Sequence, residues 1–265
     1  MAQLKLVPPP FRAFPYRTWN PVLRALCDEY RANLPSPHIY LADFLDEDMA
    51  RAAAREFPGP KDPESTENHS CMIQPAMFPG VLGKVVDELN SSAFVEWISD
   101  LTGITGLVSD PMLDGGGSHQ MRRGDLLNLH ADCTVHRHQQ NWRRRVTLNL
   151  YLTPHWRDEW GGALEFWNSA TRTRVARYPS LFNHAVIFNT DDRSLHGFPD
   201  PLQCPEKISR NSLAIYYYTI EDKPRLVARA TDSHACPQKK IFGLSHRWAS
   251  RVLGWMTKGR QWQRA

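Results

Sequence analysis

Cysteine is scarce and shows no pairing pattern. The five residues, Cys27, Cys71, Cys133, Cys204 and Cys236, are odd in number, scattered, and form no CxxC. That argues against a disulfide framework or a structural zinc site. Long apolar runs are missing too, since nothing approaches the ~18 residues that cross a bilayer. The opening MAQLKLVPPPFRAFPYR has no apolar segment of a secretory signal and contains early prolines. The expectation is a protein of the reducing cytoplasm with no membrane span. No internal repeat is present. Strong charge of one sign is also lacking: the net is +4. From Glu221 onward ten Lys/Arg stand against three Asp/Glu, a surplus of seven, so residues 1–220 carry minus three. A basic excess confined to a tail is read as a solvated face rather than a nucleic-acid footprint.

What remains is a chain of 265 residues, enough for one well-buried core with an extension. Nine Trp and eight Tyr suit pocket walls as well as cores. Three regions are expected within one structural domain: a helical support over 1–105, a β core over 106–222, and a basic extension over 223–265. NPVLRALCDEYRAN, with Asn20 as cap and Pro21 at the first helical position, predicts a first helix. LDEDMARAAAREF predicts a second, with HIYLADFL between them as a strand. Residues 57–80 read as a long Pro-rich loop. A helical pattern follows, broken near Asn90. After residue 106 the texture changes to short alternating runs separated by turn residues. This predicts an antiparallel sandwich or barrel with helices on one outer face. Over 239–257, Ile241, Leu244, Trp248 and Val252 form an amphipathic stripe expected to pack on the barrel.

Chemistry concentrates in NLHADCTVHRH, residues 128–138. Alternate side chains of a strand share a face, so His130 and Asp132 point together and Cys133 points away. His136 and His138 lie about 20 Å further along an unbroken strand, and are assigned to the loop beyond. The pair needs a third ligand, and His196 in TDDRSLHGFPDP, after the apolar run HAVIF, is the best candidate; the alternative is an exposed loop histidine. Two His and one carboxylate leave three positions open, as in non-haem Fe(II) enzymes that handle dioxygen. In ISRNSLAIYYYT, Arg210 offers a planar fork for a carboxylate, with Ser212 on the same face; the alternative is an edge arginine paired with Glu206. In RRVTLNLYLT, Val146, Leu148, Leu150 and Leu152 form one face, and Arg145, Thr147, Asn149 and Tyr151 the other. If the leucines pack under the helices, the polar face lines a barrel interior.

Several of these motifs stand in order over about residues 115–219. They are GDLLNLHAD, RRVTLNLYLTPHW, EWGGALEF with Gly161 and Gly162, FNHAVIFNTDDRSLHG and SRNSLAIYYYT. Together they resemble the Fe(II)- and 2-oxoglutarate-dependent oxygenases of the prolyl 4-hydroxylase-like branch. The resemblance implies a mainly β fold with flanking helices, a double-stranded β-helix (jelly-roll) core. It implies His130, Asp132 and His196 as iron ligands, Arg210 as partner of the distal carboxylate of 2-oxoglutarate, and Tyr151 as hydroxyl donor to that group. Thr147, Asn149 and Leu164 would line the co-substrate pocket with Ser212. The implied reaction uses Fe(II), 2-oxoglutarate and dioxygen to hydroxylate an unactivated C–H bond, releasing succinate and CO2. Halogenating relatives lack the carboxylate ligand, so Asp132 favours hydroxylation. The substrate class spans small molecules, amino acids and peptides. Two departures stand out. The tyrosine frequent on the strand before the first ligand is replaced in the Gln120–Met121 region. GFPDPLQCPEKIS lengthens the path from His196 to Arg210 and is expected to shape a different substrate mouth. Two other readings use the same residues: a non-catalytic jelly roll that binds a small acid, and a zinc hydrolase. For the hydrolase, the Arg210–Tyr151 anion site would be superfluous.

Overall fold

The computed structural model describes residues 12–58, 78–191 and 195–222. The basic tail with its expected amphipathic helix, and most of the Pro-rich stretch before residue 78, lie outside the described residues.

Helices come first. α1 (Tyr16–Trp19) runs through a 3-10 turn (Asn20–Val22) into α2 (Leu23–Ala32). The helical path therefore starts before the expected cap. Asn20 lies inside it, and Pro21 fits there because the first turn needs no donor from it. α3 (Glu47–Arg55) is capped by Asp46, whose carboxylate accepts the Met49 N–H, and has Glu47 and Asp48 in its positive first turn. α4 (Gly80–Leu89) stops at Asn90, and α5 (Ser92–Thr102) begins with Ser91 accepting the Phe94 N–H. Gly103, at φ 71°, ends α5 in the left-handed conformation.

Ten strands follow or interleave: β1 (His38–Leu41), β2 (Leu107–Ser109), β3 (Gly117–Met121), β4 (Leu127–His130), β5 (Trp142–Tyr151), β6 (Leu164–Asn168), β7 (Thr173–Tyr178), β8 (His184–Asn189), β9 (Leu195–Phe198) and β10 (Arg210–Ile220). The larger sheet runs β1-β8-β5-β10, with β2 and β3 sharing the far side of β10; the smaller runs β4-β9-β6-β7. Every pairing is antiparallel. β1 comes from the N-terminal region and closes one edge of the larger sheet.

Period-two patterning decides which way each strand faces. Val146, Leu148, Leu150 and Leu152 are buried with Ile187, Leu213, Ile215 and Tyr217 against Leu82, Val85, Phe94, Ile98 and Leu101 of the helices. Each fully buried leucine contributes roughly 2 kcal/mol. The opposite face of the same sheet supplies Tyr151, Val186 and Phe188, which interlock with Leu164 and Phe166 of the smaller sheet. The fold is a jelly roll with helices outside one sheet. The polar positions of β5 therefore face the interior rather than water.

One irregularity alters that interior. The β5–β10 register shifts at Tyr217/Tyr218: Val146 pairs Tyr217, but Arg144 pairs Tyr218. Arg145 is the extra residue of a bulge. Simple alternation assigns Arg145 to the interior; the bulge puts Arg144 there, buried, and leaves Arg145 half-buried beside Thr219.

Candidate metal centre and co-substrate pocket

β4 and β9 set two histidines against each other. His130 and His196 are direct cross-strand partners, with ring centroids 4.5 Å apart. Gly197 permits the approach, because a Cβ there would meet the Leu127 carbonyl oxygen at 2.6 Å. His196 thus sits in a four-residue strand rather than in a loop. β4 ends at His130, so Asp132 lies in irregular chain beyond it and strand alternation does not explain its direction. It converges nevertheless: Asp132 Oδ1 is 3.5 Å from His130 Nε2 and 3.8 Å from His196 Nε2.

The donor set fits a divalent ion. One ligand atom from each of His130, Asp132 and His196 lies within 4.8 Å of the others, and both histidines are buried. His130 Nδ1 is 2.8 Å from the Asn128 carbonyl oxygen, which can only accept, so Nδ1 carries a proton and Nε2, which faces Asp132, is the nitrogen a metal would take. Burial alone would raise the Asp132 carboxyl. The charges of His196 and Arg144 and the hydrogen bond from His130 outweigh it, holding the group well below the usual carboxylate range. Burial likewise opposes charge on His130, but Asp132 and the Asn128 carbonyl prevail and raise its pKa. The other Asp132 oxygen is held from behind: Thr147 donates to Oδ2 at 3.2 Å, and Arg144 Nη1 is 3.7 Å away. Thr147 also contacts Thr190 at 2.9 Å.

A second buried arginine lies towards the other end of the β5–β10 pair from Arg144. Arg210 opens β10 and is only 5% exposed. Its Nε donates to the Gly162 carbonyl at 3.0 Å and to Ser180 Oγ at 2.9 Å. Its guanidinium carbon lies 4.8 Å from the Tyr151 ring centre and 4.7 Å from that of Phe198. Among the described residues no carboxylate reaches it within ion-pair distance; the expected alternative, Glu206, is exposed. Gly162 makes the room: a Cβ there would stand 2.8 Å from Arg210 Cδ, and its φ of 74° is left-handed. The Tyr151 hydroxyl is buried and makes no hydrogen bond of ordinary length among the described residues, with Ser180 and Arg210 as its polar neighbours. Burial, partly opposed by Arg210, raises its pKa and keeps it a neutral donor. Ser212 is buried on the Arg210 face, half-buried Asn149 lies between Thr147 and Tyr151 on the inner face of β5, and Leu164 packs on Tyr151. A buried arginine and a triad of metal-capable side chains thus lie inside one jelly roll.

Residues 116–218 match the 2OG-Fe(II) oxygenase superfamily. The matched span runs from just before β3 into β10 and carries the triad and Arg210. The name of that superfamily pairs Fe(II) with 2-oxoglutarate, and the His130–Asp132–His196 set lies within the matched residues. The chain shares its fold with solved prolyl hydroxylases. A Pseudomonas putida prolyl-4-hydroxylase is 17% identical with a TM-score of 0.50, the match covering 75% of this chain and 100% of that one. A Trichoplax adhaerens prolyl hydroxylase, solved with a peptide fragment of hypoxia inducible factor, is 15% identical with a TM-score of 0.50 over 76% and 93%. A Phytophthora capsici prolyl 4-hydroxylase is 14% identical with a TM-score of 0.52 over 95% and 79%. None of the curated proteins matches.

Other expected residues go elsewhere. The chain does turn back after Thr134, through a Val135–Arg143 bridge. His136 is then buried against Asp110, with Nε2 3.3 Å from Oδ2, and belongs to no metal-capable cluster among the described residues. His138 is exposed and Cys133 is a free, half-buried thiol. The long segment before Arg210 buries Leu202 and Cys204 against Trp156 and Phe198, so it walls the Arg210 end of the barrel. Sequence reasoning missed Ser180 and His119 and gave Arg144 no role beside Asp132. The place of His119 comes from the strand register, in which Met121 and His119 of β3 face Arg210 and Ser212 of β10.

Proposed function

We propose that this protein hydroxylates an unactivated C–H bond of a small-molecule, amino-acid or peptide substrate, consuming 2-oxoglutarate and dioxygen and releasing succinate and CO2. One observation carries the reading: a buried arginine with no carboxylate partner stands beside a His-Asp-His triad inside the same barrel. A buried guanidinium is costly unless an anion joins it.

His130, Asp132 and His196 would hold the metal on one face, leaving the opposite positions open. Bound there, metal and co-substrate together supply the activation of dioxygen that inserts one oxygen atom into the substrate and one into succinate. The chain's own groups bind and orient. Arg210 neutralises the distal carboxylate of 2-oxoglutarate, and Tyr151 donates its buried hydroxyl to it. Thr147 and Arg144 fix the outer oxygen of Asp132 so that the inner one faces the metal. Asp132 fills the position a halide would need, which favours hydroxylation.

Substrate would arrive from the Arg144 side. A groove of about 520 Å³ is lined by Met112, Leu113, Gly115, His136, Arg137 and Trp142. A Cβ on Gly115 would lie 3.6 Å from Arg144 Nη2, so this wall abuts the residue behind Asp132. The volume suits a small molecule or one or two residues of a peptide. The zinc-hydrolase reading leaves Arg210 and Tyr151 with nothing to bind.

Anaerobic mixing of protein, Fe(II) and 2-oxoglutarate should give a visible metal-to-ligand charge-transfer band, and admitting air should yield succinate. His196→Ala should abolish both. A wild-type protein that shows neither, with a broad panel of amino acids, peptides and small molecules, would sink the proposal.

A further inference from the structure

His119 occupies the middle of β3, directly opposite Ser212 and one inward position from the Met121–Arg210 pair. Its ring therefore faces the interior beside the proposed co-substrate pocket. Nε2 is buried and has no hydrogen-bond partner among the described residues. Native interiors rarely leave such an atom unpaired unless it serves a ligand. Two charged groups act on the ring, the Arg210 guanidinium from β10 and the Asp132 carboxylate beyond β4. They mark the two ends of the proposed co-substrate path, anion anchor and metal ligand, and His119 senses both.

We propose that His119 is a further anchor for the co-substrate, its Nε2–H donating to a carboxylate oxygen of 2-oxoglutarate lying between Arg210 and the triad. The inference rests on the co-substrate reading of that pocket. In the empty site burial, helped by Arg210 and opposed by Asp132, pushes the imidazole down to about 4, so it is neutral. The arriving dianion offsets Arg210 and favours the imidazolium. The ring's pKa is then higher in the complex, so binding takes up a proton from solvent. The extra affinity is present at low pH and lost as pH rises through the ring's value in the complex.

The test uses the full chain loaded with Zn(II), a diamagnetic stand-in for the iron. Calorimetric titration of 2-oxoglutarate, repeated in buffers of different ionisation enthalpy, reads affinity and proton uptake. His119→Gln should weaken binding about ten- to a hundredfold, the range of a charge-assisted hydrogen bond. It should also remove the proton uptake and leave zinc affinity unchanged. In wild-type protein, the His119 ring signal in NMR, identified by its loss in the variant, should titrate at higher pH with 2-oxoglutarate than without. That measurement does not depend on how well the variant folds. Identical titration in both states, or a variant that binds 2-oxoglutarate as tightly as wild type, overturns the role of His119 alone. Wild-type protein that binds no 2-oxoglutarate overturns the pocket assignment and this inference with it.

Discussion

Two arginines, Arg144 and Arg210, lie towards opposite ends of the β5–β10 pair, and they differ in what completes them. Both are buried, and each sits over a tyrosine ring: Arg144 over Tyr216 at 3.5 Å, Arg210 over Tyr151 at 4.8 Å. Arg144 has a carboxylate in reach, Asp132 at 3.7 Å. Among the described residues Arg210 has only a carbonyl, a hydroxyl and aromatic faces. An arginine already compensated is part of the scaffold, whereas one left uncompensated in the interior points to a charge that comes from outside. The same residue type thus gives a support for the metal ligand at one end and a ligand-binding group at the other.

That contrast can be broken most forcefully at the uncompensated end. Arg210→Gln should reduce 2-oxoglutarate affinity on the order of a hundredfold or more, since it removes a charge-assisted pair, while leaving metal affinity nearly intact. Calorimetry with and without co-substrate reads both quantities. If metal and co-substrate were lost together, the two ends would not be separable. A smaller effect is expected from Gly162→Ala. The added methyl would crowd Arg210 Cδ and strain a left-handed backbone, tilting the guanidinium without deleting it. A roughly tenfold loss of co-substrate affinity, with a lowered melting temperature, is the expected outcome. An unchanged affinity would show that the Arg210 position tolerates displacement.

The compensated end gives the smallest effect and a different signature. Arg144 lowers the pKa of His130, opposing the rise that Asp132 causes. Arg144→Gln should therefore raise it further, so that protons compete with the metal at Nε2 at higher pH. Acid release of metal should move upward in pH, with affinity in mildly acidic solution down by about tenfold as support for Asp132 is lost. Co-substrate affinity in the metal-saturated protein should barely change. An Arg144→Gln protein that keeps its metal and loses 2-oxoglutarate would reverse the assignment of the two arginines.

The sequence carried most of the frame and part of the site. The leucines of β5 announce a two-faced strand, and helices followed by short strands announce the layers. Both signals are periodic and survive without tertiary knowledge. His130 and Arg210 were legible for the same reason, as punctuation on regular strands. Asp132 was found by a rule that does not apply to it, because the strand ends two residues earlier. β9 was hidden by its brevity and its glycine, which serves the close approach to β4 and carries no strand propensity. His119 and Ser180 gave no local sign at all. Their importance comes from who faces them across the barrel, and a single chain read in order does not contain that relation.

The bulge at Arg145 bears on how this barrel can be altered. Upstream and downstream of it, β5 runs in opposite phase, so its two halves obey different rules about which positions touch solvent. Removing the extra residue would only restore regular pairing, with Arg144 still facing inward. Pairing Arg145 into the ladder instead would rotate every earlier side chain to the other face, retire Arg144 from the interior and present Arg145 to Asp132. Grafts between this protein and a bulge-free relative should therefore be cut after Arg145. A junction placed before it would carry over the sequence of one barrel and the lining of another.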